Sequence, residues 1–257
     1  MEIKDSEICF VTCADQQIYI DQFKKKYQSF YDRCGHRFMT YVSTNLPDRI
    51  KPTKSLKVFS LQNLQERHPE SKEYETIDPD KEYSYYKYPW NIKRHIIHQA
   101  FTDGYKYVIW TECDAHFSGN IELLKSILKD QPTNSILTSC TKWRYNKVPK
   151  DRTFREYEKV CEDLNIKINE DYYATHDGTN AIYFIDKNKQ KEFIEHWDTL
   201  TIQGYTRNGK PRNGWIENMA FVLGLSEIEI LPLRKGIFTI RHERDKERTN
   251  KYIGYGR

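Results

Sequence analysis

Long apolar runs are absent from this chain of 257 residues. No stretch approaches the ~20 consecutive apolar residues of a membrane helix, and residues 1–7 do not read as a secretory leader, so a soluble, cytoplasmic protein is expected. Close cysteine pairs are absent as well. None of the six cysteines falls in a CxxC spacing, and Cys9, Cys13, Cys113 and Cys140 lie in or beside apolar segments, which predicts reduced core thiols. Charge of one sign is scarce: 41 basic against 37 acidic residues leave a net +4, which permits a phosphate-bearing partner without requiring one. Internal repeats and low-complexity tracts are missing too. Glycine is lacking where a phosphate loop would need it, in Thr12-Cys13-Ala14-Asp15, which argues against nucleotidyl transfer.

What is present reads as a globular chain with a polar surface, 38% hydrophobic and 30% charged. Its length fits one α/β domain, alone or with a small appendage, and the single domain is the simpler expectation. Residues 7–13 form a short apolar run, and Ile20, Phe23, Tyr27, Phe30 and Tyr31 then recur at helical spacing, giving strand and then helix. Residues 36–43 and 56–61 read as further strands around a turn-rich stretch holding Pro47-Asp48 and Pro52. Residues 62–88 are polar, with Tyr74, Tyr83, Tyr85, Tyr86 and Tyr88 set among charges; a loop of that length is either an acceptor-side element or a solvated insertion.

Pro89 suits the first turn of a helix over 89–104, with Ile97, Ala100 and Phe101 as its apolar stripe and Gly104 as its stop. Lys93, Arg94, His95 and His98 occupy its other faces, where solvation is the default and contact with a diphosphate is the alternative. Further helices are predicted over 120–130, 152–164, 186–197 (Asp186 as N-cap) and 215–225, and strands over 134–140, 182–185, 228–233 and 237–240. Residues 143–150 and 201–214 read as basic loops. Strands alternating with helices predict an α/β fold with a mainly parallel sheet covered on both faces.

Residues 105–119, Tyr-Lys-Tyr-Val-Ile-Trp-Thr-Glu-Cys-Asp-Ala-His-Phe-Ser-Gly, run from an apolar strand into two carboxylates, Glu112 and Asp114. Strand ends are where open α/β sheets place ligand groups. If the chain stays extended there, alternate side chains share a face and both carboxylates can address one hard divalent cation. Mg²⁺ and Mn²⁺ take oxygen ligands and keep waters and substrate phosphates, so two carboxylates suffice when a nucleoside diphosphate supplies the rest. His116 is an alternative ligand, and His242 can arrive from the C-terminal strand. A helix cap or surface cluster is the bland reading of the acidic pair. The polar turn His176-Asp177-Gly178-Thr179-Asn180-Ala181 opens into an apolar strand and suits a ligand hydroxyl, and Glu217 sits inside otherwise apolar helical turns.

The stretch from Tyr107 to Phe117 resembles the strand and DxD motif of GT-A fold glycosyltransferases, with Glu112 where the first aspartate usually stands. Thr12 to Asp15 resembles the nucleotide-binding start of that fold, and Lys93 lies on the helix before the motif, where a donor-contacting cation is often found. Gly178-Thr179-Asn180-Ala181 is similar to the asparagine-alanine-glycine segment of several such families, with Ile182 in place of the glycine. Trp215-Ile216-Glu217-Asn218 resembles the later acidic helix near the acceptor, and His242 the C-terminal histidine ligand.

The resemblance covers roughly residues 9–242. It implies a single GT-A-like (Rossmann-like) domain over 1–257, with a nucleotide-sugar-binding half (1–115) and an acceptor-binding half with a C-terminal tail (116–257). It also implies a Mn²⁺ or Mg²⁺ ion on Glu112, Asp114 and His242. A nucleotide-sugar donor, UDP-linked by expectation, would touch Thr12, Asp15, Lys93, Glu112 and Asn180; in an inverting enzyme the base toward the acceptor would be Glu217 or Asp177, and in a retaining one the same residues would stand against the opposite sugar face. Basic segments 142–152, 207–212 and 241–257, interleaved with Trp143, Tyr145, Tyr205, Tyr252 and Tyr255, leave two acceptors open, a glycan or a hydroxylated DNA base. Nucleic-acid binding alone, or a silent sugar- or nucleotide-binding module, are the competing classes.

Overall fold

The computed structural model describes residues 2–14, 17–35, 37–61, 63–64, 93–113, 115–117, 119–138, 140–144, 171–175, 180–208, 227–233 and 238–240. Eleven strands and four longer helices are named in chain order: β1 (Ile8–Cys13), α1 (Gln17–Cys34), β2 (Met39–Thr44), β3 (Leu56–Ser60), α2 (Lys93–Thr102), β4 (Tyr107–Trp110), β5 (Ala115–Phe117), α3 (Ile121–Asp130), β6 (Ser135–Thr138), β7 (Cys140–Arg144), β8 (Asp171–Thr175), β9 (Ala181–Phe184), α4 (Lys187–Asn208), β10 (Glu229–Pro232) and β11 (Phe238–Ile240).

Seven strands form one sheet in the order β10-β6-β9-β4-β1-β2-β3. The pairings β1–β2, β1–β4, β2–β3 and β10–β6 are parallel, and β9 alone runs against its neighbours β4 and β6. This is the mainly parallel α/β domain that the alternation of elements predicts.

Alternation along the strands divides the core into two layers. Cys9, Val11, Val108, Trp110 and Tyr183 point to one face, where they meet Ile96, Ile97, Ala100 and Phe101 of α2 and Phe193, Ile194 and Trp197 of α4. Ile8, Phe10, Tyr107, Ile109 and Ile182 point to the other, against Cys34 of α1 and Leu124, Ile127 and Leu128 of α3. Gly104, at φ +91°, ends α2 in the left-handed conformation that a side chain would strain. Asn120 caps α3 by accepting from the Leu123 N–H at 2.9 Å, and Asp186, the predicted N-cap, accepts from the Asn188 N–H at 2.9 Å at the start of α4. Cys9 and Cys34 are buried thiols outside any disulfide; burial pushes the Cys34 thiol up to about 11 and that of Cys9 well above its usual range. Among the described residues, no helix is long and apolar enough to cross a membrane.

Four local expectations change. α4 continues through Asn208, so the predicted loop begins within a helix; once Phe193, Ile194 and Trp197 have packed the first turns, each further residue adds one bond without a new nucleus, and an interior glycine costs only ~1 kcal/mol. β7 runs on through Arg144 and pairs antiparallel with β8, a strand whose Asp-Tyr-Tyr-Ala-Thr sequence has no apolar run to announce it. The acidic stretch is not continuously extended: β4 ends at Trp110, the chain turns at Cys113, and β5 then pairs antiparallel with β11. Finally, Lys93, Arg94 and His95 are buried rather than solvated. Of the predicted loop 62–88 only residues 63–64 are described, and they are helical with Leu64 buried; the rest of it and the helices over 152–164 and 215–225 lie outside the described residues.

Candidate functional site

The chain lays down β1, β2 and β3 in one direction and then returns to the other side of β1 with β4, so the strand order reverses between β1 and β4. Such a switch point opens a crevice at the carboxyl ends of the strands. Thr12 lies at the end of β1, and Thr111 and Glu112 just beyond the end of β4. Because β9 runs against the rest, its start lies at that same edge: Ala181 pairs with Trp110 on one side and with Thr138 on the other. The residue before it, Asn180, is thereby delivered to the crevice, although 68 positions separate it from Glu112 in sequence.

Five residues lock together there. The Lys93 ammonium of α2 lies 2.7 Å from Glu112 Oε1, and the Trp110 indole N–H donates to the same oxygen at 3.0 Å. The ammonium also stands 4.6 Å from the centre of the Trp110 ring. The Glu112 backbone N–H donates to Asn180 Oδ1 at 3.3 Å, and the Thr138 hydroxyl donates to the Asn180 carbonyl at 3.2 Å. The Lys93 and Glu112 side chains are 10% and 22% exposed, so this is a largely desolvated pair, stable only while both partners and their extra hydrogen bonds are in place. Its negative charge is felt nearby. Burial first, and the Glu112 carboxylate second, hold the Tyr183 hydroxyl above its usual range.

No family model and no curated protein matches the chain. Among solved structures it is similar to mouse xyloside xylosyltransferase 1 in its apo form, at 8% identity over 88% of this chain and 84% of that one, with a TM-score of 0.49. It is also similar to the apo WbbM bifunctional glycosyltransferase, at 12% identity over 91% of this chain, with a TM-score of 0.46; the match spans 40% of that protein.

Beside the locked groups is a pocket of about 490 Å³, open mouth included, between α1 and the sheet. Phe10, Phe23, Tyr27, Phe30 and Phe117 form its aromatic walls, and Thr12, Thr40, Thr111 and Glu112 its polar patches. The hydroxyls of Thr12 and Thr40 are buried, and among the described residues neither has a hydrogen-bond partner. Unsatisfied buried polar atoms are uncommon enough to need a reason, and one such reason is a polar guest.

Of the residues expected at a donor site, Thr12, Lys93, Glu112 and Asn180 therefore meet along one edge. Asp15, Asp114, Asp177, Glu217 and His242 lie outside the described residues, as do the contacts of the His116 side chain. Among the described residues no cluster of three or more His, Cys, Asp or Glu is poised to hold a metal. Trp110 and Thr138 escaped the sequence reading. The signal for Trp110 was its placement at a strand end, where a buried indole N–H must find an acceptor.

Proposed function

We propose that the chain is a metal-dependent glycosyltransferase, moving a sugar from a nucleoside-diphosphate sugar, a UDP-sugar first among candidates, to an acceptor hydroxyl. The observation that carries this reading is the meeting of Thr12, Glu112 and Asn180 at the β1–β4 switch point, beside a pocket where the Thr12 and Thr40 hydroxyls lack a partner among the described residues. The β5–β11 ladder adds to it. Ile240 pairs with Ala115, which brings the residue after Asp114 against the residue two before His242.

Asp114 and His242 are the residues that would hold a Mn²⁺ or Mg²⁺ ion, with Glu112 beside them; a carboxylate oxygen with one imidazole is a donor set that leaves positions for diphosphate oxygens. When bound, the ion offsets charge on the leaving diphosphate. In the reaction the bond from the anomeric carbon to the phosphate oxygen breaks as the bond from that carbon to the acceptor oxygen forms, through an oxocarbenium-like state. The acceptor proton passes to the carboxylate of Glu217 or Asp177. Thr12 and Asp15 orient the nucleotide, and Asn180 faces the edge where the sugar must lie. The acceptor hydroxyl belongs to a glycan or to a hydroxylated DNA base, the latter favoured for testing by the basic segments 142–152, 207–212 and 241–257.

A thermal-shift panel of nucleotide sugars with and without Mn²⁺ tests this. A UDP-sugar at a hundred times its Kd adds about 2.7 kcal/mol, a rise of roughly 5–10 °C in a chain of this size, and the rise should require the metal. No stabilisation by any nucleotide sugar at any metal concentration would sink the reading. Mass analysis of oligosaccharides and of hydroxymethylated duplex DNA after incubation then separates the acceptors.

Thr12→Val separates binding from folding. It removes an unpartnered buried hydroxyl at nearly constant volume, so the melting temperature should hold or rise by about 2–4 °C, while UDP affinity measured by calorimetry falls about tenfold. Unchanged affinity would remove Thr12 from the donor site.

A further inference from the structure

Resting on that reading of the site, we propose that Glu112 is a positioning residue for the metal rather than one of its ligands: with Lys93, Trp110, Asn180 and Thr138 it forms a brace that fixes the chain leading to Asp114. The bonds of its carboxylate are the first ground. Lys93 and Trp110 both donate to Oε1, at 2.7 and 3.0 Å, so that oxygen's lone pairs are directed at α2 and at the preceding strand. A divalent ion on the same carboxylate would lie within a few ångströms of an ammonium that is only 10% exposed, where water screens the repulsion poorly.

The span of the network is the second ground. Lys93 belongs to α2 and Trp110 to β4, Asn180 immediately precedes β9, and Thr138 ends β6. Side chain and backbone of Glu112 are thus both fixed, the one by Lys93 and Trp110 and the other by Asn180, at the point where the chain has left its sheet ladder and turns at Cys113. A short loop that must present a ligand at one position gains most from such anchoring, since misplacement of a ligand weakens the site as surely as its loss. Glutamate in place of the commoner aspartate also has a reason here: the extra methylene lets the carboxylate turn back toward Trp110 and α2.

The two roles predict opposite patterns in Lys93→Met, Glu112→Gln and their double variant, with Mn²⁺ titrated in the presence of UDP. In the brace, either substitution breaks the same device. Each single variant should raise the Mn²⁺ Kd about 10- to 100-fold, the double variant no further than the worse single, and Lys93→Arg, which keeps the ion pair, should return to within about threefold of wild type. Melting temperatures without nucleotide should show the same non-additivity. If Glu112 were a ligand, Lys93→Met would remove a competing cation and bind Mn²⁺ as tightly as wild type or tighter; that result, or losses that multiply in the double variant, overturns the positioning role alone. A wild-type protein that takes up no Mn²⁺ with UDP overturns the glycosyl-transfer reading, and the positioning role with it.

Discussion

Under the proposed glycosyl transfer, Asp114→Ala is expected to lower kcat/KM about a thousandfold, equivalent to roughly 4 kcal/mol of lost transition-state stabilisation. The expectation follows from where charge develops. As the anomeric bond breaks, the diphosphate leaves with more negative charge than it had in the donor, and interactions that strengthen at that moment raise kcat rather than merely tightening binding. If Glu112 is committed to Lys93 and Trp110, Asp114 is the remaining carboxylate of the motif. Assays of UDP release with Mn²⁺ varied over three decades should show a loss that added metal does not recover, with far-UV circular dichroism unchanged. Transfer within tenfold of wild type would remove Asp114 from the proposed metal site.

Much of the scaffold was legible because strands buried on both faces announce themselves as short continuous apolar runs, and the strands around 7–13, 107–110 and 182–185 all read that way. Direction was not legible. Nothing in Ala-Ile-Tyr-Phe shows that β9 runs against its neighbours, yet that reversal is what carries Asn180 to the carboxyl edge. Burial of charge was hidden for a related reason. Lys93, Arg94 and His95 follow each other along α2 as a polar run does on a solvated face, and only the tertiary partner reveals otherwise: Glu112 comes from an element 19 residues away. Composition also misread the ends of elements. β8 is polar and aromatic without an apolar run, and α4 outlasts its apolar stripe, because ladder pairing and helix propagation need no further hydrophobic signal once begun. The acidic pair is legible as a motif, but the turn at Cys113 between its two members is one that strand periodicity cannot supply.

Trp110→Ala is expected to cost about 3–5 kcal/mol, a large part of the ~5–15 kcal/mol by which such a domain is stable, and to lower the melting temperature by roughly 6–20 °C. Trp110 is among the largest side chains buried without residual exposure of consequence, on a strand between β1 and β9 where it pairs with Val11 and Ala181. Its removal leaves a cavity that neighbours on both sides, held in sheet register, cannot close. The same change strips Glu112 of one donor and takes from Lys93 the ring 4.6 Å away. Trp110→Phe divides these contributions: most of the ring volume stays while the N–H bond to a carboxylate goes, a loss of ~1.5–3 kcal/mol. Urea unfolding of the two variants measures both, and a Trp110→Ala protein melting within about 3 °C of wild type would refute the assignment. The comparison bears on function through the position of this side chain. Trp110 is the last residue of the strand and Glu112 is fixed to its indole, so the rigidity of the core is handed to the acidic turn across one intervening residue; loosening that indole should loosen the turn before it unfolds the sheet.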